Sequence, residues 1–240
     1  MKGKLTDRFS TQEEVTGVHL AFLPIGSMEQ HGLHLPLDTD GIIAETLARE
    51  LASRFERSFL LPLIPFSSSF EHAGFPGSVS LRVATIASVI RDVVDSLAIS
   101  GIRRLVIITG HMGNHLLRNI VQELNWPEPR ILLLPSTHHW ARAYEAAGLS
   151  STSSQDMHAG EGETSIIMHF LPDAVRHEKV KDVDCPKRAL LETLGMKSYT
   201  ETGTIGFPSR ASAEKGAALF SALADELTAV VKEFIEIGKA

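Results

Sequence analysis

Glu29, His31, His34, Asp38 and Asp40 fall together in LPIGSMEQHGLHLPLDTDG, the stretch from Leu23 to Gly41. Carboxylate oxygen and imidazole nitrogen in one loop suit a divalent cation such as zinc, manganese or iron. Glu29 and His31 stand two apart, so an extended backbone sends both side chains to the same side, where they can bind neighbouring ions. Asp40 can place one oxygen on each of them. His111, directly after an apolar run and inside TGHMGN, is the natural ligand from a second loop, and the acidic stretch from His158 to Glu163 supplies what is still missing. Two ions about 3.5–4 Å apart would polarise a carbonyl and lower the pKa of a bridging water. The chemistry that follows is hydrolysis of a carbonyl–nitrogen bond or a related ester.

Each of these residues also has a plainer role. Glu29 could be a solvated loop acid, Asp40 a helix cap, His111 a brace for a Gly-rich turn, and Glu161 and Glu163 favourable acids in a helix's first turn. His34, between Leu33 and Leu35, reads as part of a packed turn, and with Asp38 it is assigned to support. His138 and His139 stay outside the ligand set, and Cys185 has no paired base nearby that would make it a nucleophile. Gly110 and Gly113 could cradle a phosphate, but the loop lacks the Lys and the length of a P-loop. Arg82 and Arg118 are the obvious cations for a phosphoesterase, and their spacing does not suit one. The joint placement of the acids and histidines at loop ends favours the metal reading.

The elements that must position these groups alternate. Val18 to Ile25 is a nearly continuous apolar run ended by Gly26, the pattern of a strand buried on both faces. From Asp40, Ile43, Leu47, Leu51 and Phe55 recur at helical spacing, with Thr39 or Asp40 available as the cap. Phe59 to Ile64 is a second strand closed by Pro65, Val83 to Leu97 a helix stopped at Gly101, and Arg104 to Thr109 a third strand. Asn114 can cap a helix through Leu124, Ile131 to Leu134 is a fourth strand, and another helix begins near Glu161. The segment around His138 to Trp140 has no assigned form. Residues 172–210 are polar and irregular, a lid or an oligomer contact, and Ala217 to Ile237 is a closing helix. Strands alternating with helices imply a parallel sheet covered on both faces, with ligands at the carboxyl ends of the strands. Both candidate loops belong there.

Bulk composition narrows the partner. A chain of 240 residues with 43% apolar content can bury a substantial core, and one domain over 1–240 is expected. A net charge of −6 with no concentration of Lys and Arg excludes nucleic-acid and membrane-surface partners and leaves a small-molecule substrate. One cysteine excludes an internal disulfide and fits a reducing cytoplasm. MKGKLTDRFSTQEE has no apolar signal core, and no apolar run approaches the roughly 20 residues that span a bilayer.

The segments LPIGSMEQHGLHLPLDTD, EHAGFPGSVSL, TGHMGN and HAGEGETS, in this order and at these separations, closely resemble the creatininase (creatinine amidohydrolase) family. The resemblance implies a three-layer α/β/α sandwich with a mostly parallel central sheet, a hexameric homo-oligomer and a binuclear divalent-metal centre. It implies two ions per chain, zinc first, with manganese or iron as alternatives. The family's Glu and His of EQH, its Asp closing LxTD and its His of GHxxN are metal ligands, which here are Glu29, His31, Asp40 and His111. Creatininase itself has Glu where this chain has Gly113, and Glu163 of the HAGxxE segment looks like the substitute, with Glu161 as the alternative. His158 matches a histidine near the substrate and is a candidate proton shuttle, a role shared with Glu163. His72 and Ser78, in EHAGFPGS, are expected to line the substrate pocket. The missing Glu, and the absence from SSTSSQDM of creatininase's aromatic gate, point away from creatinine itself.

The expected activity is therefore metal-dependent hydrolysis of a C–N bond in a small amide, cyclic amide or formamide. The same family contains formylamino-pyrimidine deformylases and a precursor-peptide peptidase. A non-catalytic metal-binding regulatory protein is the rival from another class, and intact ligands at all four motif positions speak against it.

Overall fold

In a computed structural model, residues 5–237 are described. The elements in order are α1 (Gln12–Val15), β1 (Leu20–Ile25), α2 (Thr39–Ser53), β2 (Ser58–Leu60), α3 (Val83–Ile99) and β3 (Arg104–Thr109). There follow α4 (Leu116–Leu124), β4 (Ile131–Leu134), α5 (Thr137–Ala146), α6 (Glu161–Phe170), α7 (Leu191–Leu194) and α8 (Ala213–Glu236). The strands form one parallel sheet in the order β2-β1-β3-β4, with β1 and β3 in register from Leu20 opposite Arg104 to Ile25 opposite Thr109.

The sheet is buried on both faces, which is why β1 and β3 carry no alternation of polar residues. Leu20 and Phe22 of β1 and Val106 and Ile108 of β3 pack into one core with α2, α5, α6 and α8. Their neighbours Ala21, Leu23, Ile25, Leu105 and Ile107 pack into a second core with α3 and α4. The molecule is the expected three-layer α/β/α sandwich. Among the described residues no helix is long and apolar enough to cross a membrane. Residues 1–4 and 238–240 of the expected domain lie outside the described residues.

Several local expectations are corrected. The second strand stops at Leu60 instead of Ile64, because Pro62 and Pro65 remove amide donors; beyond it, Leu61 N still donates to Phe22 O and Ile64 N to Pro24 O. Asp38, not Thr39 or Asp40, is the N-cap of α2 and makes no side-chain cap bond, while the Thr39 hydroxyl donates to Pro36 O. Asn114 does not cap α4; its amide donates to Thr109 Oγ1, and His115 takes the cap position. The unassigned segment around His138 is helix α5, started by a capping box in which Ser136 Oγ accepts from His139 N and His139 Nδ1 accepts from Ser136 N. The 172–210 excursion is mainly irregular, as expected. It folds back to the strand ends, where Ile205 pairs with His158 and Gly206 with Val183.

Candidate metal centre

Because β1 and β3 lie side by side in register, the loops that follow them leave the same edge of the sheet. One carries Glu29 and His31, the other His111. The first turn of α2 sits directly across both. A Cβ on Gly26 would come 2.5 Å from Gly41 Cα, and a Cβ on Gly110 would come 2.0 Å from Asp40 O. Glycine at these strand ends lets the helix start close down, and it delivers Asp40 between the two loops.

Asp40 Oδ1 lies 3.2 Å from His31 Nε2, and Asp40 Oδ2 lies 3.4 Å from His111 Nδ1. The same His111 nitrogen is 3.2 Å from Glu29 Oε1. Ligand atoms about 2.0–2.1 Å from a shared tetrahedral zinc would stand about 3.3 Å apart. Asp40 thus faces one histidine with each oxygen. Both oxygens of Glu29 and Oδ2 of Asp40 are buried without a hydrogen bond among the described residues. Buried carboxylate oxygens need a partner. His31 sharpens the requirement: Nδ1 lies 3.1 Å from Glu29 O, which can only accept, so Nδ1 carries the proton and Nε2 turns toward Asp40 Oδ1. Two lone pairs facing each other at that distance require a cation between them, either a proton or a metal ion.

The protonation tendencies agree. Burial pushes His31 down, but Asp40, Glu163 and Glu29 outweigh it and hold the imidazole up at about 10. Burial likewise opposes the charge on His111, and Glu29 and Asp40 raise it well above its ordinary value. Asp40, pushed up by burial, is pulled far down by His31 and His111. The Glu163 carboxyl is pushed up to about 7 by burial, with His31 opposing and Asp40 adding to the rise. The cluster therefore calls for positive charge, and the donor set fits divalent ions. Among the described residues Glu29, His31 and Asp40 form one group that could hold an ion and His31, His158 and Glu163 a second, while Glu29, His72 and His158, and Glu71, His72 and His111, also bring their donors within reach of one ion.

His158 is buried against this second group. Its Nε2 lies 2.6 Å from Gln30 O, which again can only accept, so the proton sits on Nε2 and the Nδ1 lone pair faces inward, 3.9 Å from Glu29 Oε1. Burial, reinforced by His31 and His72, drives His158 well below its ordinary value, so this imidazole is neutral. Glu163 Oε2 accepts the Ala159 amide at 2.6 Å. Ala159 presents that amide from a left-handed backbone, φ 50°, a strained conformation for a residue with a Cβ.

Glu161 does not face the cluster. It is fully buried against Lys215 Nζ at 2.5 Å and accepts the Ser150 and Ser151 amides, so it braces the loop before α6. His72 lines the cavity but also lies 3.1 Å from Glu29 Oε1, with Nδ1 at 2.9 Å from Gln30 Nε2. Ser78 departs from its expected place: its hydroxyl accepts the Gln30 amide and pins the ligand loop, and it is not part of the cavity lining. His34 is buried with Nε2 on Thr164 Oγ1, a packed support as expected. Asp38 caps α2 in position only.

Three residues that sequence reasoning missed belong to the site. Gln30 uses its side chain on His72 and Gly32. Asp156 accepts the Glu161 and Gly162 amides at the start of α6, the Phe207 amide and the Tyr144 hydroxyl. Glu71 Oε1 lies 3.1 Å from His111 Nε2. A capping carboxylate ahead of α6 was the one legible signal, since Asp156 precedes Gly160 and the acids of HAGEGETS. A cavity of about 750 Å³ opens from Asp40, His72, His111, His158 and Glu163 outward to Phe70, Met157, Arg188, Leu191 and Lys197.

A family model described as Creatininase: Creatinine amidohydrolase matches residues 8–231. A mycofactocin precursor peptide peptidase of Mycobacterium tuberculosis (strain CDC 1551 / Oshkosh) is 31% identical over 245 aligned positions, covering 93% of this chain and 88% of the relative. A creatinine amidohydrolase of Pseudomonas putida is 24% identical, covering 96% of this chain and 95% of its own. Among solved structures, a creatininase described as its Mn form superposes with a TM-score of 0.81 at 22% identity, over 96% of this chain and 98% of the other.

Proposed function

The chain belongs to the creatininase family, and from that premise we propose that it hydrolyses a carbon–nitrogen bond of an amide with two divalent ions, as one catalytic domain over residues 1–240. The observation that carries the reading is Asp40 set between His31 and His111 with one oxygen toward each, beside buried carboxylate oxygens that make no hydrogen bond among the described residues. Glu29, Asp40 and His111 would hold one ion, and His31, Asp40 and Glu163 the other. Zinc is the first choice for this mixed oxygen and nitrogen set, with manganese or iron as alternatives. Bound there, the ions would supply Lewis acidity to a substrate carbonyl and acidify a water.

The chain's own groups do the rest. Glu163, set beside the cluster with Oε2 on the Ala159 amide, is placed to carry a proton to the departing nitrogen. Neutral His158 presents an inward lone pair that can accept one. His72, with Nδ1 on the Gln30 amide, stands 3.1 Å from the Glu29 carboxylate and lines the cavity.

The cavity favours an amide larger than a small cyclic one. Its volume of about 750 Å³, its apolar outer walls of Phe70, Leu191 and Met157, and the cations Arg188 and Lys197 suit an elongated substrate such as a peptide end. The peptidase among the relatives supports the same reading. We assign the protein to a reducing cytoplasm as a homo-oligomer, on the single cysteine and the family resemblance.

The test is metal analysis of the purified protein followed by hydrolysis assays on formamides, cyclic amides and short peptides. Two ions per chain with turnover of peptides above that of creatinine is expected. Bound metal with no hydrolysis across the panel would favour a non-catalytic metal-binding protein instead.

A further inference from the structure

We propose that Glu71 is a positioning carboxylate for His111, and that position 113 is glycine because a side chain there would collide with the Glu71 carboxylate and with the His111 ring it stands against. The proposal rests on the metal reading above. An imidazole that offers one nitrogen to a cation must keep its proton on the other, and a carboxylate beside that second nitrogen fixes both the tautomer and the ring angle. His111 has this division of labour. Nδ1 faces the inner carboxylates, 3.2 Å from Glu29 Oε1 and 3.4 Å from Asp40 Oδ2, while Nε2 lies 3.1 Å from Glu71 Oε1 on the opposite side.

Glu71 is well placed to hold a fixed position. It stands on the single 3-10 turn Phe70–His72, whose next residue sets His72 against Glu29, so one turn addresses both sides of the cluster. Its side chain is 22% exposed, and a Cβ on Gly195 would stand 3.2 Å from its carbonyl oxygen, so the 188–197 excursion backs the turn closely.

Gly113 supplies an independent observation. Its backbone is not among the positive-φ glycines, so its conformation does not require glycine. Space does: a Cβ there would lie 2.2 Å from Glu71 Oε1 and 2.5 Å from His111 Nε2. A side chain at 113 would push the Glu71 carboxylate out of its place and crowd the His111 ring.

The experiment titrates Zn²⁺ into metal-free protein against a chromophoric chelator, for the wild type, Glu71→Ala, Glu71→Gln, Gly113→Ala and the double variant Glu71→Ala/Gly113→Ala. Glu71→Ala should weaken one of two zinc sites about 10–100-fold and leave the other unchanged. Glu71→Gln, which keeps an oxygen within reach of Nε2 but loses the charge, should recover part of that loss. Gly113→Ala should weaken the same site although Glu71 is present, and the double variant should be no weaker than the worse single one, because Gly113→Ala already displaces the Glu71 carboxylate. Wild-type affinity at both sites in Glu71→Ala, or losses that simply add in the double variant, would overturn the proposal. A wild type that binds no zinc, manganese or iron would instead bring down the metal reading itself.

Discussion

Asp156 anchors the start of α6, and replacing it separates two oxygens with different duties. Oδ1 accepts from Glu161 N at 2.6 Å and Phe207 N at 3.1 Å; Oδ2 accepts from Gly162 N at 2.8 Å and the Tyr144 hydroxyl at 2.9 Å. In Asp156→Asn the remaining oxygen can keep Glu161 and Phe207, but the new NH₂ confronts the Gly162 amide, donor against donor. One orphaned buried amide costs about 1–3 kcal/mol, and loss of the negative charge at a helix N-terminus adds about 0.3–2 kcal/mol. The expected destabilisation is about 2–4 kcal/mol. Asp156→Ala abandons all four donors and should cost about 4–6 kcal/mol, a large share of the roughly 5–15 kcal/mol that stabilises a domain. Tyr144→Phe removes one donor and leaves Oδ2 on Gly162, so about 1–2 kcal/mol is expected. Urea unfolding of the metal-free protein measures these differences without the stabilisation that bound metal would add. Zinc titration of whatever remains folded should show the His31 and Glu163 site weakened. If Asp156→Ala stays within about 1 kcal/mol of the wild type, or if Asn is as damaging as Ala, the proposed sharing of the two oxygens is wrong.

Asp40→Asn should leave at most one ion per chain and lower turnover by about 10³-fold or more, since an amide can turn an oxygen toward only one of His31 and His111; metal analysis with full occupancy and full activity would refute the bridging role. Zinc binding near pH 7 should release protons, because His31, held up at about 10, must give its proton up to the ion, and affinity should fall as the pH is lowered. Calorimetry in buffers of different ionisation enthalpy reads that release, and identical heats would contradict it. Lys215→Met leaves the fully buried Glu161 without its ammonium partner and should cost about 2–4 kcal/mol at pH 7, less than a wholly buried pair because Lys215 is partly exposed. Burial pushes the Glu161 carboxyl up, but Lys215 and the Ser150 and Ser151 amides bring it below its ordinary 4.5. The stabilisation is therefore present above about pH 4.5 and lost as the pH falls through the lower folded value. The gap between wild type and variant should close in acid; a gap independent of pH would mean that Glu161 is not the group responsible.

The legible parts were those in which neighbours in sequence are neighbours in space. β1 and β3 announce themselves as apolar runs because both faces of the sheet are covered, and the residues just after them must emerge at the strands' carboxyl ends. Glu29, His31 and His111 could be placed at one edge of the sheet for that reason. Helix α5 was harder to read because His139 takes the place that Glu or Gln usually holds in a capping box. The family resemblance favoured Glu163 over Glu161, but the residue pattern alone did not separate them. Two residues apart on a helix they point about 200° away from each other, so one faces the cluster and one faces Lys215, and only the packing of α6 against α8 decides which.

By itself the sequence determined a parallel sheet, a ligand loop at each of two strand ends and a metal-dependent hydrolase of the creatininase type. The tertiary structure decided how the two loops share one site: glycines at the strand ends seat Asp40 between His31 and His111, and partners distant in the chain, Gln30 with His72, Glu71 with His111, Asp156 with Phe207, set the angle of each group. Those pairings depend on distances of a few ångströms between segments far apart in the chain, and such distances exist only once both cores have closed on the sheet.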